Sequence, residues 1–162
     1  MARRADELIL AGDLGGTKTL LELARAGAVA PRFERRYLAA EFGGFQQMLR
    51  RFLDEFARET GAAPRIAAAC IAVAGPVEGA RVRVTNLPWE VDAGEIAAEF
   101  GIDRVRLVND FEAAAHGLDE LGAKDLFTLQ AGKADPYGHR VVLGAGTGLG
   151  VAYSIWTGHG HC

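Results

Sequence analysis

Cysteine is scarce in this chain: Cys70 and Cys162 are its two, too few for a disulfide framework and without the Cys-x-x-Cys spacing of a zinc site. A reducing compartment, the cytoplasm, is the expected setting. Charge of one sign is missing too, since 18 lysines and arginines stand against 21 acidic residues, a net charge of -3. With pI near 5.8 the sequence carries no electrostatic footprint for nucleic acid. No apolar run approaches the roughly 18 residues of a membrane-spanning helix. The opening "MARRADEL" has two arginines but no apolar stretch long enough for a signal peptide. Low-complexity segments and short repeats are absent as well.

What is there reads as an ordinary globular protein: 49% apolar, 24% charged, mean hydropathy +0.06, and 162 residues, enough for about one domain. Leu8 to Ala11 form an apolar run that breaks at "GDLGGTK" and resumes at Thr19 to Ala24, which predicts strand, tight turn, strand. "RFERRYLAA" (32–40) predicts a third, edge strand. Phe45, Met48, Leu49, Phe52, Leu53 and Phe56 then recur at helical spacing on one face, predicting a helix that ends at Gly61. "RIAAACIAVAG" (65–75) reads as a central buried strand, and "VEGARVRVTN" as a small hairpin. Asp92 and Glu95 resemble a capping box opening a short helix that Gly101 closes. "RVRLV" (104–108) is a further strand leading into the helix of "NDFEAAAHGLDEL". "VVLGAG" and "GVAYSI" repeat the strand, glycine turn, strand unit, and residues 122–140 read as loop. The class is α/β, with a domain boundary near residues 110–120.

Three features bear on chemistry. Glycine turns expose backbone N–H groups that phosphate oxygens can approach closely, or they merely connect hairpins. Neither "GDLGGTK" nor "GAGTGLG" has the order of a P-loop or of the dinucleotide fingerprint, and each links two strands rather than opening a helix. Two such hairpins suit one nucleotide between them. Asp13 beside the first turn offers a hard oxygen for a magnesium ion, through water, or simply forms the turn. Thr17 and Thr147 supply hydroxyls in matching places. In "LVNDFEAAAHG", Asn109 and Asp110 sit at the carboxyl end of a strand, where open α/β sheets bind ligands. Asp110 there is either a general base for an attacking hydroxyl or a helix N-cap. Asn86 and Trp89 in "TNLPW" form the floor of a polar cleft or a rigid turn with a packed indole. His116 reads as structural, and the terminal "HGHC" is a poor zinc site.

Taken together, "GDLGGTK" (12–18), "IAVAGPV" (71–77), "TNLPWEV" (85–91), "LVNDFEAAAHG" (107–117) and "GAGTGLGVA" (144–152) resemble the bacterial glucokinase family, within the sugar kinase, actin and heat-shock ATPase superfamily. The resemblance implies an RNase H-like (actin-like ATPase) first lobe with a mixed sheet over residues 1–112, and the start of a second lobe over 113–162. It implies ATP, with Mg2+, between the two glycine hairpins. Gly12, Asp13, Leu14, Gly15, Gly16 and Thr17 would hold phosphate with Gly146, Thr147 and Gly148, and Asp13 would lie near the metal. It implies glucose in the cleft, with Asp110 as base on the 6-hydroxyl, Asn109 on a sugar hydroxyl and Asn86 near the sugar.

The family's Glu-x-Gly-Gly-His segment, second glutamate, adenosine pocket and C-terminal helix have no counterpart in "SIWTGHGHC", so the expectation is the N-terminal half of such a kinase, with little activity alone. Should the chain end at Cys162, its unpaired strands around 141–155 are expected to promote association or swapping, with a homodimer among the expected forms. The competing expectation is a non-catalytic sugar-sensing module of the same fold. An actin-like or chaperone ATPase would not need "TNLPW" or the Asn-Asp pair.

Overall fold

The computed structural model describes residues 7–28, 30–133, 135–145 and 149–162, which fall into two compact units, 1–109 and 110–162. In the first unit, β1 (Leu8–Leu14), β2 (Lys18–Arg25) and β3 (Phe33–Leu38) form an antiparallel meander. Then come α1 (Phe45–Thr60), β4 (Ile66–Val73), the short strands β5 (Val77–Glu78), β6 (Arg81–Arg83) and β7 (Glu90–Asp92), α2 (Ala93–Phe100) and β8 (Val105–Asn109). The main sheet runs β3-β2-β1-β4-β8, with β4 parallel to both β1 and β8, so it is mixed. β5, β6 and β7 make a separate antiparallel sheet.

Period-two alternation decides which face is buried. Leu8, Leu10 and Leu14 of β1, Leu21 and Leu23 of β2, and Ile71 and Val73 of β4 join one core with Phe45, Met48, Leu49, Phe52 and Phe56 of α1. The ring of Phe33 on β3 meets Phe52 at 5.2 Å and Phe56 at 5.4 Å between centroids. Leu53, the sixth residue of the helical stripe, is only partly buried. Gly61 ends α1 in the left-handed region at φ 77°, where glycine carries no steric cost.

β4 is central, as its apolar run suggests, but it is buried on one face only. Ile66, Ala69, Ile71 and Val73 are buried while Cys70 is exposed and Ala67, Ala68 and Ala72 are half-buried. The second face is made of small side chains, which read as apolar in sequence yet remain at the surface.

Asp92 accepts the N–H groups of Gly94 (2.7 Å) and Glu95 (3.0 Å), which starts α2, and Gly101 ends it at φ 62°. The Glu95 N–H, and next the Arg81 guanidinium paired with Asp92, hold the Asp92 carboxyl below its usual range. A depressed folded pKa gives stability that is present above the unfolded value, about pH 4, and is lost as pH falls through the folded one. Asp92→Asn keeps a cap but not the charge. Thermal melts from pH 7 to pH 3 should therefore fall less steeply at the acid end for Asp92→Asn than for the unmodified chain.

The second unit begins with α3 (Asp110–Gly117) and carries the antiparallel ribbon of β9 (Arg140–Ala145) and β10 (Leu149–Ser154). The segment between carries two short 3-10 turns, and Phe127 and Leu129 within it are exposed. Gly144 and Gly150 are cross-strand partners, and the Phe111 ring of α3 lies over both. A Cβ at Gly144 would fall 2.6 Å from that ring, and one at Gly150 closer still. These two glycines of "GAGTGLG" therefore make room for an aromatic ring.

Residues 155–162 close a small hairpin in which Ile155 and Cys162 exchange N–H···O bonds of 2.8 and 3.0 Å. The Trp156 ring meets Tyr137 tilted, at 5.1 Å between centroids, and His161 edge-on at 5.2 Å, and its backbone N–H donates to Nδ1 of His139 at 3.1 Å. His116 is exposed on α3 rather than packed into a core.

Candidate functional site

The carboxyl ends of β1, β4 and β8 finish level, since Leu14 pairs with Val73 and Val73 with Asn109. In a parallel arrangement this edge is where loops gather and ligands bind. Three backbone segments meet there: the β1–β2 turn at Gly15 to Thr17, the loop after β4 at Ala74 to Pro76, and the turn at Thr85 to Pro88. Backbone bonds tie them together, from Ala74 N–H to Leu14 carbonyl (3.2 Å) and from Thr85 N–H to Ala74 carbonyl (2.8 Å).

Asn109 ends β8 half-buried, and its Nδ2 donates to the Gly75 carbonyl at 3.0 Å. A carbonyl only accepts, so this bond fixes which end of the amide points to Gly75 and puts Oδ1 on the other side. Gly75 itself has φ 154°, and a Cβ there would lie 2.8 Å from the Arg83 carbonyl oxygen and 3.3 Å from Oγ1 of Thr85. Backbone strain and collision together exclude a side chain at this position. Gly75→Ala is expected to lower the melting temperature and to shift the Asn109 side-chain amide resonances; a melt and spectrum like those of the unmodified chain would show that the loop tolerates the methyl group.

Asn86 is exposed and has φ 65°, the only non-glycine residue with positive φ among the described residues. Asparagine tolerates this conformation better than most residues. The turn around it is closed by Leu87 N–H to Val84 carbonyl and Val84 N–H to Trp89 carbonyl, and the buried Trp89 indole anchors its far end. Trp89 is thus a packed residue of the turn.

The first glycine turn is a tight hairpin closed by Gly15 N–H to Lys18 carbonyl at 3.1 Å. A Cβ at Gly15 would sit 3.0 Å from that carbonyl oxygen, and one at Gly16 the same distance from the carbonyl oxygen of Thr85. Asp13, Thr17 and Lys18 are exposed. Gly12 and Leu14 face inward instead: Leu14 is fully buried, and Ile71 and Leu21 occupy the place of a Cβ at Gly12. Any part these two take in binding is left to their backbone.

Asp110 follows Asn109 directly as the first residue of α3, half-buried, and its Oδ1 accepts the Phe111 N–H at 3.0 Å. Gly146, Thr147 and Gly148 lie outside the described residues.

Sequence reasoning missed the part played by Gly75 as partner of Asn109. The signal was present in the Gly-Pro step of "IAVAGPV", which in sequence shows where the apolar run ends but not what the Gly75 carbonyl meets.

A family model described as Glucokinase matches residues 10–162. A curated glucokinase of Synechocystis sp. is 42% identical over 158 residues, taking in 93% of this chain and 44% of that protein. The chain spans less than half the length of the curated relatives it matches. Among solved structures, a glucokinase from an Antarctic psychrotroph superposes with TM-score 0.82 at 30% identity, over 98% of this chain and 49% of that one. A glucokinase from Balamuthia mandrillaris in complex with glucose gives TM-score 0.65 at 25% identity, over 96% and 46%.

Proposed function

We propose a sugar-kinase role from one premise: this chain belongs to the glucokinase family. In this reading it carries the phosphate turn, the sugar asparagines and the general base of an enzyme that transfers the terminal phosphoryl group of ATP to the 6-hydroxyl of glucose. The observation that carries it is Asn109, its amide held by the Gly75 carbonyl, followed at once by Asp110 and level with the end of β1 that runs into the glycine turn.

The side chains suit the chemistry. Gly15 and Gly16 bring backbone without Cβ toward phosphate oxygens, with the Thr17 hydroxyl and Lys18 ammonium exposed beside them. Asp13, an exposed carboxylate next to that turn, fits a hydrated Mg2+. When bound, the ion neutralises charge on the phosphates. Asn109 and Asn86 orient the sugar by its hydroxyls. Asp110 takes the 6-hydroxyl proton as that oxygen bonds to the γ-phosphorus, the bridging P–O bond breaks and ADP leaves. The cytoplasm is the proposed setting: among the described residues no helix is long and apolar enough to cross a membrane.

Titrating the 15N-labelled 162-residue chain with glucose tests the sugar side. Saturable shifts of the Asn109 side-chain amide and of the Asp110 backbone amide are expected in the millimolar range, and in Asn109→Ala the Asp110 amide should no longer respond to glucose. A chain indifferent to glucose at concentrations that saturate a hexose kinase would contradict the assignment.

A further inference from the structure

Gly16 is a glycine for a reason that the phosphate turn alone does not supply. Its backbone lies outside the left-handed region, so no conformational requirement calls for glycine there. What excludes a side chain is proximity. A Cβ at position 16 would meet the Thr85 carbonyl oxygen at 3.0 Å, the Asn86 Cβ at 3.4 Å and the Asn86 Nδ2 at 3.9 Å. At Gly15, one residue earlier, the corresponding contact is with Lys18 and stays within the hairpin.

We propose that Gly16 is a positioning residue for Asn86: its bare backbone is the seat of the Thr85–Asn86 turn, which joins the phosphate hairpin to the sugar side of the site as one piece. The turn has little freedom to move away. The Thr85 N–H is bonded to the Ala74 carbonyl, and the Thr85 side chain lies beside Gly75, whose own carbonyl holds Asn109. Asn86 is already in a left-handed conformation, with the turn closed behind it by Leu87 and Trp89. A methyl group on residue 16 therefore displaces Asn86 by a few tenths of an ångström or opens the hairpin, and either change alters the spacing of the two. Phosphate contacts at the turn and hydroxyl contacts at Asn86 are thereby coupled through a single backbone approach. The coupling is a matter of geometry; its effect on sugar rests on the function proposed above.

The test compares Gly16→Ala with Gly15→Ala in the 15N-labelled 162-residue chain, without ligand and then with glucose. Gly16→Ala is expected to move the Thr85 and Asn86 backbone amides and the Asn86 side-chain amide. Gly15→Ala should move only residues of the hairpin. Asn86→Gly keeps the left-handed backbone and removes the side chain, and it should shift the Gly16 amide, which reads the same contact from the other side should Gly16→Ala fail to fold. Unmoved Thr85 and Asn86 signals in Gly16→Ala, an unmoved Gly16 signal in Asn86→Gly, or equal shifts at Asn86 from both alanine variants would each overturn the proposal.

With glucose, Gly16→Ala should bind about fivefold more weakly, the scale of one hydrogen bond. Displaced Asn86 signals with unchanged glucose affinity would uphold the coupling and remove Asn86 from the sugar site. If the unmodified chain binds no glucose, the function reading fails, while the ligand-free spectra still decide the coupling.

Discussion

Asp110→Asn is expected to lower kcat for glucose phosphorylation by about 10²- to 10⁴-fold, with a far smaller change in KM. The assay needs a whole kinase, made by grafting residues 10–162 in place of the matching segment of the Synechocystis relative. Asparagine is close in size to aspartate and keeps an oxygen to accept the Phe111 N–H, so the start of α3 is retained. What it loses is the capacity to take a proton. A residue that only starts a helix would leave both kcat and the melting temperature nearly intact, since asparagine caps about as well as aspartate. Unchanged kcat in a folded Asp110→Asn chimera would return Asp110 to the role of a cap.

Phe52→Ala should destabilise the first unit by about 3–5 kcal/mol, a large share of the stability of a domain this size. Phe52 is fully buried at the middle of α1, with the ring of Phe33 5.2 Å away and Phe56 one turn further along. Removing the ring takes out apolar area and leaves a cavity bounded by a sheet that cannot collapse, because each strand under it is hydrogen-bonded to its neighbours. Urea unfolding followed by far-UV circular dichroism should show the midpoint falling with little change in slope. A loss below about 1 kcal/mol would mean that the core repacks around the gap.

The sequence made α1 legible because six apolar residues at helical spacing and a terminal Gly61 leave no other reading. Five of them are fully packed, and only Leu53 sits at the rim. The first hairpin was legible from two apolar runs interrupted by a glycine turn, and its register is set in the fold, where Leu14 pairs with Thr19. β4 was legible as a strand but not in its burial, since alanines at 67, 68 and 72 count as apolar whether or not anything covers them.

The site divides in the same way. Asn109 and the glycine turn are local signals at the end of a strand, and the register of β1, β4 and β8 brings those strand ends level. The Asn109 bond to Gly75, the approach of Gly16 to Asn86, and Phe111 over Gly144 and Gly150 are contacts between residues distant in the chain. Glycine in a sequence shows that a side chain is missing; only the fold shows what stands in its place. Two of the glycines in "GAGTGLG", Gly144 and Gly150, accommodate a ring; neither is among the residues of that turn expected to hold phosphate, which are Gly146, Thr147 and Gly148.

Glucose-dependent ADP release by the grafted kinase is the most direct test of the central claim. With residues 10–162 of this chain supplying the glycine turn, Asn86, Asn109 and Asp110, ADP should form only when glucose is present, saturate with glucose, and be accompanied by an equal amount of glucose 6-phosphate. ADP release at the same rate with and without glucose, from a chimera that folds and binds ATP, would contradict it.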